Sequence, residues 1–332
     1  MATIKDVAKQ AGVSVATVSR VINNSGKSSQ ATKVAVKAAM KDIGYRPNAN
    51  ARALVNQSTN TIGVLIGDVS DPFFGGIVKA IDIIALQHGK HLLIGNGYHN
   101  AEIERKAIEL LINSRCESLI VHSKALSNEE LIEFAHEIPS MVLINRFIPE
   151  IAERCIALDN HKGSYLATEF LIKKGHTSIG YICSNHNIED VEQRKNGYID
   201  ALKAYQLEHS ASHIEYGSPD EKGGEQAMTN LLTKNLPITA VAAYNDYMAA
   251  GALSIIEENG IKAPEEMSLI GFDDGLIAKY LHPKLTTIRY PIQMMAEKAA
   301  NLALKLANKE PCYNDIQIFV PTLVQRLSVA NK

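Results

Sequence analysis

The 332-residue chain has no tryptophan and only four cysteines, Cys116, Cys155, Cys183 and Cys312, scattered along its length. No CxxC occurs and no Cys/His spacing suits zinc, which excludes a zinc module and a disulfide scaffold. Four reduced thiols, mostly buried in a reducing cytoplasm, are expected instead. No run approaches the roughly eighteen apolar residues of a membrane span, and the N-terminus has no apolar signal-peptide core, so neither membrane insertion nor export is expected. Motifs that hold phosphates or activate nucleophiles are also missing. There is no P-loop and no nucleophile elbow, and Gly95-Asn96-Gly97 runs on into Tyr98-His99-Asn100 without the third glycine of GxGxxG. His88, His91, His99, His176 and His186 show no metal-ligand spacing and are read as surface or capping residues. No catalytic residue, metal or cofactor is therefore assigned. Repeats and low-complexity tracts are absent too.

What is present is a globular composition, 46% hydrophobic and 21% charged, with an uneven distribution of charge. Residues 1–60 hold nine Lys/Arg against Asp6 and Asp42, a net of +7, whereas the whole chain is −2 and residues 61–332 therefore carry −9. A basic head on an acidic body is the asymmetry of a nucleic-acid-binding module joined to something else.

Within the head, Ile4, Val7, Ala8 and Ala11 fall at i, i+3, i+4 and i+7, one face of a helix. Gly12 is free to take positive φ and ends it. Val13 is placed to pack inward, Ser14 to cap a second helix, and Val18, Val21 and Ile22 to lie on that helix's inner side. Two short helices across a tight Gly-containing turn, from Ile4 to Asn23, form a helix-turn-helix, whose second helix enters the major groove N-terminal residues first. The residues it would present are Val15, Ala16, Thr17, Ser19 and Arg20, and no acid lies on its outward side. Val15 and Ala16 suit thymine methyls, and Arg20 suits the O6/N7 edge of guanine. A third helix is expected over roughly 30–43, with Val34, Ala38 and Ile43 inward and Gly44 ending it. Then Pro47 interrupts, and Asn48 caps a short segment containing Arg52 and Leu54, too short for a stable isolated helix. It reads either as a plain linker or as a segment that orders on DNA, with Leu54 as a minor-groove wedge.

From Thr61 onward, eight apolar runs (TIGVLIGD, HLLIGNGY, SLIVHS, MVLINR, CIALD, SIGYICS, TAVAAYND and MSLIGFDD) alternate with helical stretches near 75–87, 103–114, 128–136, 163–174, 194–205, 224–234 and 247–259. That is the pattern of α/β architecture with parallel sheets, whose ligands bind at the carboxyl ends of the strands. Those ends carry Asp68, Asp71, Phe73-Phe74, Asn145-Arg146, Asp159, Asn245-Asp246 and Asp273-Asp274, with Arg194 near a helix start. Singly, each Asp or Asn reads as a cap or turn former. Together, carboxylates, amides, an arginine and paired aromatics are what a sugar needs.

MATIKDVA, GVSVATVSRVINNS, RPNANARAL, GDVSDPFFG, YNDYMAAGA, SLIGFDD and LTTIRYPI together give a chain that resembles the lactose-repressor family of transcription regulators over its whole length; GNGYHN and CSNHN favour its galactose branch. The resemblance implies a small all-α helix-turn-helix head (1–46), a hinge helix and linker (47–60), and a core (61–332) of two Rossmann-like parallel-sheet subdomains, as in periplasmic sugar-binding proteins. The first subdomain would comprise about 61–159 plus 291–320 and the second about 161–289 plus 322–332. It implies a cytoplasmic homodimer on a pseudo-palindromic operator, released by a small molecule, galactose in this branch. DNA contacts would come from Thr3, Ile4, Ser14, Val15, Ala16, Thr17, Ser19, Arg20, Asn23, Asn48, Arg52 and Leu54, and effector contacts from Phe73, Phe74, Asn145, Arg194, Asn245 and Asp273. The chain ends in PTLVQRLSVANK without the leucine heptads that make some relatives tetrameric, so a dimer is the expected unit. Another sugar, or a purine corepressor stacked on Phe73-Phe74, is the alternative effector. A transport protein would need a signal peptide and no basic head, and an enzyme would need one of the missing motifs.

Overall fold

A computed structural model describes residues 2–23, 28–46, 59–312 and 318–332. The chain divides into two units, residues 1–59 and 60–332.

In the first unit, α1 (Ile4–Ala11), α2 (Val15–Ile22) and α3 (Gln30–Asp42) close over Val7, Ala8, Val18, Val21, Val36 and Ala39. Each helix starts on a side-chain cap. Thr3 and Asp6 form a reciprocal capping box, while Ser14 and Ser29 accept the amides of Thr17 and Thr32. Gly12, at φ +66°, makes the turn between α1 and α2. The third helix runs as expected, but the inward positions expected for it need correction. Val34 is 60% exposed and Ala38 is exposed, whereas Val36, Ala39, Met40 and Ile43 face the core. Both sets recur at helical spacing, and the contacts of α1 with α3 decide between them.

The second unit is two lobes, each a six-stranded sheet. The first lobe contains β1 (Thr61–Ile66), α4 (Pro72–Gln87), β2 (His91–Asn96), α5 (Ala101–Asn113), β3 (Ser118–Val121), α6 (Asn128–Glu137), β4 (Met141–Ile144) and β5 (Cys155–Leu158). The second contains α7 (Asn160–Lys173), β6 (Ile179–Ser184), α8 (Glu189–Ala204), β7 (Ile214–Gly217), α9 (Glu221–Thr233), β8 (Ala240–Ala243), α10 (Asp246–Glu258), β9 (Ser268–Asp273), α11 (Leu276–Tyr280) and β10 (Thr286–Arg289). The chain then returns to the first lobe for α12 (Ile292–Ala307) and β11 (Ile318–Phe319), and ends in the second with β12 (Thr322–Val324). It therefore passes between lobes at Asp159, at Tyr290-Pro291 and at Val320-Pro321. The strand orders are β11-β5-β4-β3-β1-β2 and β12-β10-β9-β8-β6-β7, parallel throughout except for β12 against β10.

The central strands are buried on both faces, which is why they read as unbroken apolar runs. Both orders reverse direction next to their first strand, between β1 and β3 in one sheet and between β6 and β8 in the other. A parallel sheet opens a crevice at such a point.

Candidate functional site

The head's surface follows from its core. Because Val18 and Val21 point inward, α2 turns Val15, Ala16 and Arg20 outward, with Thr17 and Ser19 half-buried beside them. No acid lies in the first turn of this helix. The other residues singled out in the sequence are partly committed to local structure. Thr3 and Ser14 are caps, Ile4 packs against the core, and the Asn23 amide donates to Ser19 Oγ at 3.4 Å. Asn48, Arg52 and Leu54 lie outside the described residues.

Between the lobes lies a cavity of about 390 Å³ whose walls are strand ends and helix starts. Phe73, Phe74, Asn145, Arg194, Asn245 and Asp273 all line it. Asp71 caps α4 by accepting the Phe73 amide at 2.8 Å, which sets the two phenylalanines edge to face, ring centroids 5.2 Å apart, with Tyr290 another 5.2 Å beyond Phe73. These rings give the cavity an apolar floor suited to the C–H face of a sugar or to a flat heterocycle.

Arg194 is the most constrained group in the wall. It lies in the second turn of α8, which begins at Glu189, five residues earlier than the start expected from the sequence. Its guanidinium is sandwiched between Phe272 (3.7 Å) and Tyr244 (4.5 Å), and it donates to Asn160 Oδ1 at 2.8 Å and to the Tyr244 carbonyl at 2.7 Å. Asp273 lies 3.7 Å from it, a charge contact beyond hydrogen-bonding range. Burial therefore dominates for Asp273 and pushes its carboxyl well above the usual range, with Arg194 pulling it back only in part. Such a carboxyl is ready to take a hydroxyl partner. Behind it, Asp246 accepts from Thr287 Oγ1 at 2.6 Å and from the Gly275 amide at 2.7 Å, and burial raises its pKa to about 7.

The two asparagines are less free than the sequence implied. Asn245 caps α10 by accepting the Met248 amide at 2.8 Å and donates to the Pro219 carbonyl at 2.9 Å. Asn145, at φ +59°, donates to Asp190 Oδ2 at 2.9 Å, and its own carbonyl accepts from Lys124 Nζ. Lys124 also pairs with Asp190 Oδ1 at 2.7 Å, with side-chain exposures of only 4% and 9%. Asp190 comes from the second lobe, Lys124 and Asn145 from the first, so two groups of one lobe grip a carboxylate of the other across the cleft. Burial opposes its charge, but Lys124 and Arg194 outweigh burial and hold its pKa below the ordinary carboxylate range. Glu104, buried in α5, accepts from Ser123 Oγ and from the amides of Lys124, Ala125 and Leu126, fixing the loop that carries Lys124.

Sequence reasoning passed over Lys124, Asp190, His122, Tyr244 and Tyr290. Its reading of the histidines needs correction as well. His99 and His186 line the cavity rather than the surface, and His176 is fully buried, bonded to Thr239 Oγ1 at 2.9 Å. The missed signal was the rule already applied to Asp68 and Asn145: His122 and Lys124 follow the run SLIV as directly as those residues follow theirs. Among the described residues no cluster of His, Cys, Asp and Glu is placed to hold a metal ion, and no helix is long and apolar enough to cross a membrane. Of the four thiols, Cys155 and Cys183 are buried, which raises their pKa values to about 11 and about 12.

Residues 3–48 match the model of bacterial regulatory proteins of the lacI family, and residues 168–329 match a periplasmic binding protein-like domain. The chain is 56% identical over 330 residues to the HTH-type transcriptional regulator GalR of Escherichia coli K12, covering 99% of this chain and 96% of that protein. It is 55% identical over 330 residues to the HTH-type transcriptional regulator GalS of Salmonella typhimurium LT2, covering 99% and 97%. The crystal structure of the lac repressor dimer bound to operator and the anti-inducer ONPF superposes with a TM-score of 0.88 at 26% identity, covering 99% of both chains.

Proposed function

Because this chain belongs to the lacI family of bacterial regulatory proteins, we propose that it represses genes of galactose transport and metabolism and is released from its operator by galactose. The observation that carries the effector reading is the cavity itself. It sets a partly buried carboxyl, Asp273, beside a buried guanidinium, Arg194, above a floor of aromatic rings. That combination pairs with adjacent hydroxyls and covers the opposite C–H face. Whole-chain likeness to GalR and GalS favours galactose over another sugar. The phenylalanine floor keeps a purine corepressor as the second reading.

In this reading residues 1–46 are the DNA-binding head, 47–60 a hinge helix and linker, and 61–332 the effector and dimerisation core. Val15, Ala16 and Arg20 read bases, while Thr3, Ile4, Ser14, Thr17, Ser19 and Asn23 shape that surface or touch phosphates, and Asn48, Arg52 and Leu54 act in the minor groove. Phe73, Phe74, Asn145, Arg194, Asn245 and Asp273 form the effector site. The protein works as a cytoplasmic homodimer on a pseudo-palindromic operator. The dimer reading has support in the edge strand β2, where exposed Ile94 is flanked by exposed Ile83 and Leu86 on α4 and by Ile103 and Leu110 on α5. An apolar edge of this kind invites a second copy.

The test is a mobility-shift titration on an operator enriched from random DNA. Galactose is expected to release the protein, and glucose, ribose and hypoxanthine to leave it bound. Operator affinity that does not change with galactose removes the effector assignment, and tighter binding with hypoxanthine establishes the corepressor reading in its place.

A further inference from the structure

The cavity has a second wall whose chemistry the effector reading above does not use. His99 follows β2, His122 follows β3 and His186 follows β6, and all three line the cavity. His99 stands at the centre, with ring centroids 6.1 Å from His122 in its own lobe and 5.5 Å from His186 across the cleft. His122 meets Phe74 edge to face at 5.0 Å, so the histidines continue the aromatic floor upward. Two of their ring nitrogens, Nδ1 of His99 and Nδ1 of His122, are buried without a hydrogen-bond partner, and the His122 residue is only 3% exposed. Buried polar atoms are normally paired, and orphans in a polar cavity mark the place of a partner the protein itself does not supply.

We propose that His99 and His122 bind the effector directly as neutral imidazoles, each reading a sugar hydroxyl, so that effector binding is linked to the release of protons. This rests on the effector reading of the cavity and adds the residues and the regulation that reading lacks. A neutral imidazole offers one donor and one acceptor, which matches a hydroxyl's own pair. Protonation turns the acceptor into a second donor and places a cation in the wall. The surroundings favour the neutral form. Burial lowers the pKa of both rings, with His186 acting in the same direction on His99 and Lys124 on both. The carboxylates facing them pull the other way but do not prevail: Glu104 and Asp190 against His99, and Asp190 against His122. Across the cleft, His186 is also lowered by burial, opposed by Asp220. The sign follows: the wall is neutral at and above neutral pH, and acid that protonates it competes with sugar.

The experiment is isothermal titration of the full-length protein with galactose from about pH 8 down to about pH 5.5, in buffers of different ionisation enthalpy. Galactose is expected to bind more weakly as the pH falls below the ordinary histidine range, with protons released on binding. His122→Phe keeps a ring but loses both nitrogens, and should weaken binding about tenfold at neutral pH. His99→Gln and His122→Gln keep hydrogen-bonding atoms; they should stay within about threefold and lose part of the acid step and of the proton release. The unsubstituted protein supplies a test that needs no variant to fold. Among the monodeoxygalactoses, at least one should bind with a smaller acid step than galactose shows, because the hydroxyl read by one of the two histidines is gone. Galactose binding with the acid step unchanged in all three variants and with every deoxy sugar overturns this inference alone. No binding of galactose at any pH removes the effector reading and this inference with it.

Discussion

Arg20 stands exposed on α2 with no acid in the helix's first turn, and its value to the protein depends on what it meets there. If it reads a guanine edge, Arg20→Ala costs about 1–3 kcal/mol at one operator base pair and relaxes preference at that pair alone. Competition binding across single-base operator variants measures this, and equal weakening on every variant would refute base contact. Asp246 yields a prediction of a different kind. Its carboxyl has a pKa of about 7 in the folded protein against an ordinary value of 3.8. Between those values the folded state binds more protons than the unfolded chain, so this group's contribution to stability falls as pH rises through that window. Asp246→Asn should therefore flatten the decline in the urea midpoint between about pH 4 and about pH 7; a variant with the parent's full slope contradicts the assignment. At this scale the sequence was legible wherever one residue type has one job, as with Ser14 the cap and Gly12 the turn. It was less legible for Asn145 and Asn245, because an amide that suits a sugar suits a helix cap or a carboxylate equally well, and only the contacts decide.

At the scale of elements, Asp190 and Arg194 sit one turn apart on α8. The grip of Lys124 and Asn145 on Asp190 therefore also holds Arg194 in register with Asp273. Removing one partner of a buried pair strands the other charge at a cost of about 3–5 kcal/mol, whereas replacing both with apolar residues costs far less. Asp190→Leu alone should thus lower the unfolding midpoint more than Lys124→Met and Asp190→Leu together, as a double-mutant cycle by denaturant unfolding would report. Additive losses would show that the two charges do not depend on each other. The eight apolar runs from Thr61 onward all became strands: seven are buried on both faces and so have no polar alternation to disguise them, while β2, half-exposed at the sheet edge, is apolar nonetheless. Four short strands, β7, β10, β11 and β12, were passed over: they lie at or near sheet edges, and Thr-rich or two-residue strands carry little apolar signal. The helix α12 escaped for a different reason. Its buried face is built from Met295, Ala296, Ala299, Ala300, Ala303 and Leu304, and alanine contrasts weakly with its neighbours. Packing against α4, not hydrophobicity, makes that face a core.

For the molecule as a whole, the architecture expected from the family resemblance, a helix-turn-helix head and two parallel-sheet lobes, is the one found. Its assembly is the quantity to perturb. Ile94→Glu with Leu110→Glu places charge on the apolar edge around β2 without touching the cavity. Sedimentation should then report a monomer, and operator affinity should fall by about a hundredfold or more, because two linked heads bind far more tightly than one. A dimer of unchanged mass would move the contact surface elsewhere. The +7 head on a −9 body was visible from residue counts alone, because charge segregation needs no fold to be seen. The cleft-spanning grip was not, because its members are widely separated in sequence and are joined only by the closure of one lobe upon the other.

The order in which the chain visits its lobes has a consequence for synthesis. The head has its own core within residues 1–46 and is complete soon after it leaves the ribosome. The first lobe, begun at Thr61, waits for α12 to cover β3, β4 and β5, while the second lacks β12 until Thr322–Val324 emerge. Ser328, fully buried, then accepts the Leu269 amide through its backbone, and the Lys332 amide donates to Lys174 at 2.8 Å. For most of translation, then, the nascent polypeptide carries a finished DNA-binding module on a body whose two sheets are both incomplete. Control by a small molecule can begin only once the segment from Thr322 to Lys332 has been made and packed.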